Sequence, residues 1–369
     1  MPTSSEKKKK ARAILAANKT LVKNNILKMD NSFYSMRSLL GYSNKAIFYI
    51  LLGGRDYGKS YAVMMKLIID WKTKGIPFCW IRLNEASTAK LLKNNADKLV
   101  DPDIRRKFNL RLKTIGNDVY EGPKGKEKRM ATVMALSTYY NDKGVALFDN
   151  EFLLDKAMHY NICCDEFQPE KDQRSQGDVA YQFVNQLENV VRDDKDCSKL
   201  NIFLCANCLE EASDILCLFN YIPEDFGRYY IRSKKAVIDY MKPTEGYISR
   251  RKGTVADLLM PTASTFTNKI SIDTTLVTGK RRLVRPTAII QFYKDSKFTV
   301  WDDNVIAKYN GEKCDHIIAM RPYQDLVFNA KSRDHIIELF DTRCFLYKHT
   351  IVMKQFQSEI ALLKPRGAK

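Results

Sequence analysis

The run Gly53-Gly54-Arg55-Asp56-Tyr57-Gly58-Lys59-Ser60 fits the pattern G-x-x-x-x-G-K-[ST]. Each residue type there has a task. The glycines let the backbone wrap close to phosphate, and its N–H groups point inward at the start of a helix. Lys59 is placed to neutralise β- and γ-phosphate oxygens, and Ser60 to ligate Mg²⁺. Ordinary residue frequencies produce this pattern by chance in only ~1–2% of chains this long.

A second set of residues completes the chemistry. Tyr160-Asn161-Ile162-Cys163-Cys164-Asp165-Glu166 is an apolar run ending in adjacent carboxylates. Asp165 is placed to hold the magnesium shell, and Glu166 to orient and deprotonate an attacking water. An Asp-Glu pair alone is common; its meaning comes from the phosphate loop upstream. Together they point to ATP hydrolysis with ATP and Mg²⁺ as the ligands. A guanine-specific Asn-Lys-x-Asp is missing, since Asn268-Lys269 is followed by Ile270-Ser271.

Four further residues carry two readings each. Asn207, after the apolar run Ile202–Cys205, is either a contact to the γ-phosphate or attacking water, or a simple strand-end turn. Arg192 lies just past the helical stripe Phe183, Leu187, Val190 and Val191. It is either solvated or, in a ring, able to reach a neighbour's γ-phosphate. Lys143, in the turn Asn141-Asp142-Lys143-Gly144, has the same two readings. Arg55 acts in cis or senses the nucleotide. Cys205-Ala206-Asn207-Cys208 has C-x-x-C spacing but lacks the second close pair that zinc wants, so the cysteines read as structural.

The elements that must position these groups follow from the hydrophobic pattern. Ala46–Leu52, Phe78–Leu83, Tyr160–Cys164 and Asn201–Cys205 read as strands buried on both faces of a mainly parallel sheet. A helix from Lys59 to Trp71 buries Ala62, Met65 and Ile69. A charged helical stretch covers Lys90–Val100, and an amphipathic helix Tyr181–Arg192. Leu110–Leu136 reads as a hairpin with Gly122–Arg129 at its tip. From Pro286 the texture turns antiparallel, with strands at Ala288–Tyr293, Phe298–Trp301 and Val305–Tyr309. Helical stretches Ser332–Phe340 and Thr350–Leu363 follow.

The 369 residues carry 61 Lys and Arg against 43 Asp and Glu, a formal net charge of +18. That excess points toward a polyanionic partner. Lys90 and Lys93, with Lys124, Lys126, Lys128 and Arg129 at the hairpin tip, are candidate contacts to a DNA backbone, which need no base-reading side chains. No apolar run approaches the ~18 residues needed to span a bilayer. The Lys7–Lys10 run precedes only a short, mixed segment, Ala13–Ala17, too weak for a secretory core, so the nine cysteines read as reduced, cytosolic and mostly core.

These motifs together resemble the DNA-packaging ATPases of φ29-like tailed phages, relatives of the terminase large subunits. The likeness lies in order, spacing and wording over most of the first 230 residues. It is carried by Phe33-Tyr34 and Leu39-Leu40-Gly41-Tyr42, by the arginine-bearing loop, and by Leu136-Ser137 with Lys143. Asp165-Glu166-Phe167 with Glu170-Lys171-Asp172, Val191-Arg192, and Leu204–Asn207 complete it. The resemblance implies a P-loop ATPase of the ASCE class whose subunits form a homomeric ring, pentameric in the closest relatives. The ring docks at the portal vertex of an empty prohead in the host cytoplasm and moves double-stranded DNA inward. Lys143 and Arg192 then complete a neighbour's site, and a structural RNA joins the motor in some relatives.

The implied organisation is a basic arm over 1–30, an ATPase domain over 31–240, a linker or lid over 241–280, and a smaller α+β domain of RNase H-like fold over 281–369. The larger terminases that the chain resembles use that domain as a metal-dependent nuclease with a carboxylate on its first strand, which Ala288–Tyr293 lacks; Asp295, Asp302 and Asp303 lie beyond it. It is therefore read as a vestigial module binding DNA or portal. Competing readings are a generic P-loop helicase or partition-type ATPase, a nuclease with a regulatory ATP site, and a scaffold with a dead site.

Overall fold

The computed structural model describes residues 33–36, 39, 45–142, 160–168, 178–191, 200–207, 213–223, 225–259, 274–278, 284–293, 295–322 and 325–363. Lys143, Arg192, Cys208 and the basic arm over 1–30 lie outside them. The chain divides into two units: 1–209 with 223–270, and 210–222 with 271–369. It therefore passes between the units three times.

In chain order the elements begin with β1 (Phe48–Gly53), α1 (Lys59–Lys74), β2 (Phe78–Arg82), α2 (Glu85–Ala96) and α3 (Pro102–Lys107). A meander of β3 (Leu112–Ile115), β4 (Asp118–Glu121) and β5 (Lys128–Ala135) follows, then β6 (Tyr160–Asp165), α4 (Val179–Val191) and β7 (Leu200–Asn207). Next come α5 (Asp214–Leu218), which belongs to the second unit, and then β8 (Gly227–Ile231), β9 (Ala236–Tyr240), α6 (Glu245–Arg251) and α7 (Val255–Leu259).

The nine-stranded sheet of the first unit has the order β3-β4-β5-β2-β6-β7-β1-β9-β8. Its inner strands from β5 to β9 pair in parallel, and the outer pairs β3/β4, β4/β5 and β8/β9 are antiparallel. The inner strands are apolar without alternation because both of their faces are covered. β1 and β6, for example, are buried at nearly every position. α1 is buried on more than one face: Val63, Met64, Leu67 and Ile68 join Ala62 and Met65 in the core, while Ile69 is only half-buried.

Three local readings change. The expected hairpin over 110–136 is a three-stranded meander, its extra reversal made by Gly116 at φ 58. The expected helix over 90–100 starts earlier, at Glu85, where the Asn84 side chain accepts from Ser87 N at 2.9 Å. It breaks at Lys93, and Asn94 and Asn95 take left-handed backbone, which asparagine tolerates best. The first unit also continues beyond residue 240. Met241 N donates to Leu52 O, and α6 follows inside the unit, so part of the segment read as a linker over 241–280 is packed structure.

The second unit carries β10 (Ala288–Tyr293), β11 (Ser296–Val300), β12 (Val305–Lys308), β13 (Ile317–Ala319), α8 (Ala330–Asp341), β14 (Leu346–Tyr347) and α9 (Thr350–Ala361). The order is β13-β10-β11-β12-β14. The expected antiparallel run β10–β12 is present, and the short strands β13 and β14 add parallel edges. Phe356 of α9 centres the core, its ring 5.2 Å from Phe298, 5.4 Å from Phe292 and 5.5 Å from Phe345. α5 joins this unit through Asp214, 3.7 Å from Lys354 Nζ. Among the described residues no helix is long and apolar enough to cross a membrane.

Candidate nucleotide site

β1, β7 and β6 lie side by side, so three functional segments emerge from the same end of the sheet. The register pairs Gly53 with Asn207 and Asp165 with Cys205. In open parallel sheets the carboxyl ends of the strands form the binding crevice. One strand, β7, separates the phosphate loop from the acidic strand, and its tip presents Asn207 between them.

Gly58 stands at φ 83, a left-handed conformation that a side chain disfavours. A Cβ there would also press on the Phe33 ring at 3.3 Å. Gly58 caps α1 without a side-chain hydrogen bond, which leaves the first-turn N–H groups as donors to an anion. Lys59 is buried, and its Nζ donates to Gly53 O at 2.9 Å, Gly54 O at 2.7 Å and Asn207 Oδ1 at 3.4 Å. The structure thus places Asn207 on the loop lysine.

Ser60 Oγ donates to Asp165 Oδ1 at 2.6 Å. A hydroxyl and a carboxylate this close form a hard-oxygen pair of the kind that could hold Mg²⁺. Glu166 follows at φ 55, an uncommon backbone for a non-glycine residue and one that recurs at functional sites. Its side chain is 55% exposed, unlike that of Asp165 at 8%. The pair is therefore split between a buried carboxylate and an exposed one. Residues 55–61, Asp165, Glu166 and Cys205–Asn207 line an open cavity of about 270 Å³.

Arg82, at the end of β2, was not among the sequence candidates. Its Nη1 donates to Asp165 Oδ2 at 2.5 Å, and its Nη2 donates to Glu166 Oε2. Its contact depends on β2 lying next to β6, so the one signal in the sequence is a charged residue closing an otherwise apolar strand. The sequence gives no sign of a second brace. Tyr57 OH donates to Lys242 O at 3.0 Å, Tyr247 OH to Arg55 O at 3.0 Å, and the Tyr57 and Tyr247 rings meet edge-on at 4.6 Å. Tyr34 N donates to Tyr57 O at 2.8 Å.

The described cysteines are free thiols. Burial raises the pKa of Cys163 and Cys164 well above the ordinary thiol value, which suits inert core packing. Lys90, Lys93, Lys124, Lys126 and Lys128 are exposed and Arg129 is half-buried; none of them lines the cavity.

The fold is shared with solved packaging motors. The Phi-28 gp11 DNA packaging motor aligns over 92% of this chain and 100% of its own, with 14% identity and a TM-score of 0.62. A chain of the bacteriophage Phi-29 viral genome packaging motor assembly aligns over 90% of this chain and 100% of its own, with 19% identity and a TM-score of 0.59. No protein-family model and no curated protein sequence matches the chain.

Proposed function

We propose that this chain is the ATP-hydrolysing subunit of a phage DNA-packaging motor, an oligomeric ring that moves double-stranded DNA through a portal into a prohead. The single observation that carries it is the convergence of Lys59, Ser60, Asp165, Glu166 and Asn207 at one end of the sheet, on a fold shared with packaging motors.

Ser60 and Asp165, whose oxygens lie side by side, are the residues that would hold Mg²⁺. The ion, when bound, offsets charge developing on the transferred phosphoryl group. Residues 53–58 cradle the phosphates through backbone donors, and Lys59 leaves its carbonyl partners to meet them. Glu166, whose carboxylate is exposed at the cavity, takes the proton of the attacking water. Arg82 holds that carboxylate against Asp165 until the base is needed. Asn207, in contact with Lys59, registers the loss of the γ-phosphate at the tip of β7. Lys143 and Arg192 complete the site of a neighbouring subunit, and the second unit, without a carboxylate on β10, serves DNA or portal binding instead of cleavage.

The test is ATP hydrolysis by the full chain, alone and with double-stranded DNA and proheads. Stimulation by DNA with proheads, and DNA uptake that needs ATP, are expected. Turnover indifferent to both, or accompanied by strand separation, would favour a generic helicase instead.

A further inference from the structure

The phosphate loop contains a carboxylate. Asp56 lies between Arg55 and Tyr57, lines the cavity and stands at φ 60. A fixed negative charge within a polyphosphate cradle opposes binding unless something offsets it, since like charges a few ångströms apart repel by an appreciable amount even near water. The structure supplies the offset from far along the chain. Arg251 Nη1 donates to Asp56 Oδ2 at 2.9 Å.

That arginine is built in. Its side chain is only 8% exposed while that of Asp56 is 64% exposed, so a held cation meets a carboxylate open to the cavity side. α6 carries it to the loop on a cap, with Thr244 Oγ1 accepting from Tyr247 N at 3.2 Å. Tyr247 is wholly buried and anchors the helix through Arg55 O. Arg251 Nη1 also approaches Arg55 O at 3.5 Å, and Arg250 donates to Asp56 O while its guanidinium lies 4.4 Å from the Phe33 ring.

We infer that Arg251 is a positioning residue of the nucleotide site, which neutralises Asp56 and so sets the anion affinity of the phosphate loop from a helix about 195 positions downstream. This rests on the reading of residues 53–60 as a nucleotide cradle. The effect falls on phosphate binding and grows with the number of phosphate charges. Because Asp56 is largely exposed, it is modest, in the range of a surface ion pair.

The experiment measures affinity of the full chain for ATPγS, ADP and AMP in Arg251→Ala, Asp56→Asn, the double variant and Arg251→Lys. Arg251→Ala is expected to weaken ATPγS binding about fivefold, with a smaller loss for AMP. Adding Asp56→Asn should restore it, as should Arg251→Lys in part. A purely structural arginine would weaken all three ligands alike and show no rescue, and that result overturns the inference. If Arg251→Ala does not fold, Asp56→Asn still decides. Asparagine tolerates the left-handed backbone, and the uncovered arginine should tighten ATPγS binding about threefold. Unchanged or weaker binding there overturns it too. Wild-type protein that binds none of the three nucleotides would instead remove the nucleotide reading itself.

Discussion

The two ends of β6 and β7 both carry buried polar groups, and they differ in what those groups leave open. At the entering end Asn161 is fully buried, donates to Asp70 Oδ2 at 2.9 Å and accepts from Asn201 Nδ2 at 3.2 Å. Lys66 and Lys74 of α1 flank the same aspartate. At the leaving end Arg82 bonds to Asp165 and Glu166, and Lys59 to Asn207, yet both carboxylates, Lys59 and Asn207 border a cavity and Glu166 is half in solvent. A network that binds α1 to the sheet and one proposed to perform chemistry use the same residue types. Access to the cavity separates them.

That contrast can be broken by substitution. Lys59→Ala should lose ATP turnover by about a thousandfold or more, since it removes the cation of the cradle. The thermal midpoint should hold. Glu166→Gln should keep ATP binding while turnover falls about 10²–10⁴-fold. Full turnover in that variant removes Glu166 as the base. At the opposite end Asn161→Leu should cost ~1–3 kcal/mol in urea unfolding, because Asp70 loses a buried donor. Its turnover per folded molecule should match wild type; a fall in kcat would show that the two ends are not separable. Arg82→Ala should lower kcat about tenfold by releasing both carboxylates, with ATP affinity little changed. Smallest, Lys124→Gln with Lys126→Gln should weaken DNA binding at all sequences and reduce the salt slope by roughly 0.9 for each DNA phosphate left without its lysine. An unchanged slope would remove the meander tip from the DNA surface.

What the sequence made legible was local. The phosphate loop, the apolar strands β1, β6 and β7, and the carboxylates at the end of β6 each announce themselves within a few consecutive residues. Arg82 did not, because its partners are reached only through the pairing of β2 with β6. Arg251 and Tyr247 act on a loop nearly two hundred positions away, and nothing in Glu245–Arg251 alone marks that helix as a brace. β8 and β9 carry equally weak signals: β8 lies half-exposed at an edge, and β9 is a short apolar run directly after a charged turn. Asn161 looks like an interruption in an apolar strand; it is the hinge of the polar network with Asp70. The stripe read on α4 was partly right, since Phe183 and Val190 are buried, but the fully buried Gln186 shares that face and donates to Asp142 Oδ2 at 2.6 Å.

Residues 210–222 belong to the second unit although the first unit resumes after them. The units are thus interleaved along the gene, not strung in series. A break at one place, whether at 240 or 280, would leave α5 behind and strip Lys354 and Ser358 of their partner Asp214. Independent production of the second unit needs a permuted chain or two co-expressed pieces.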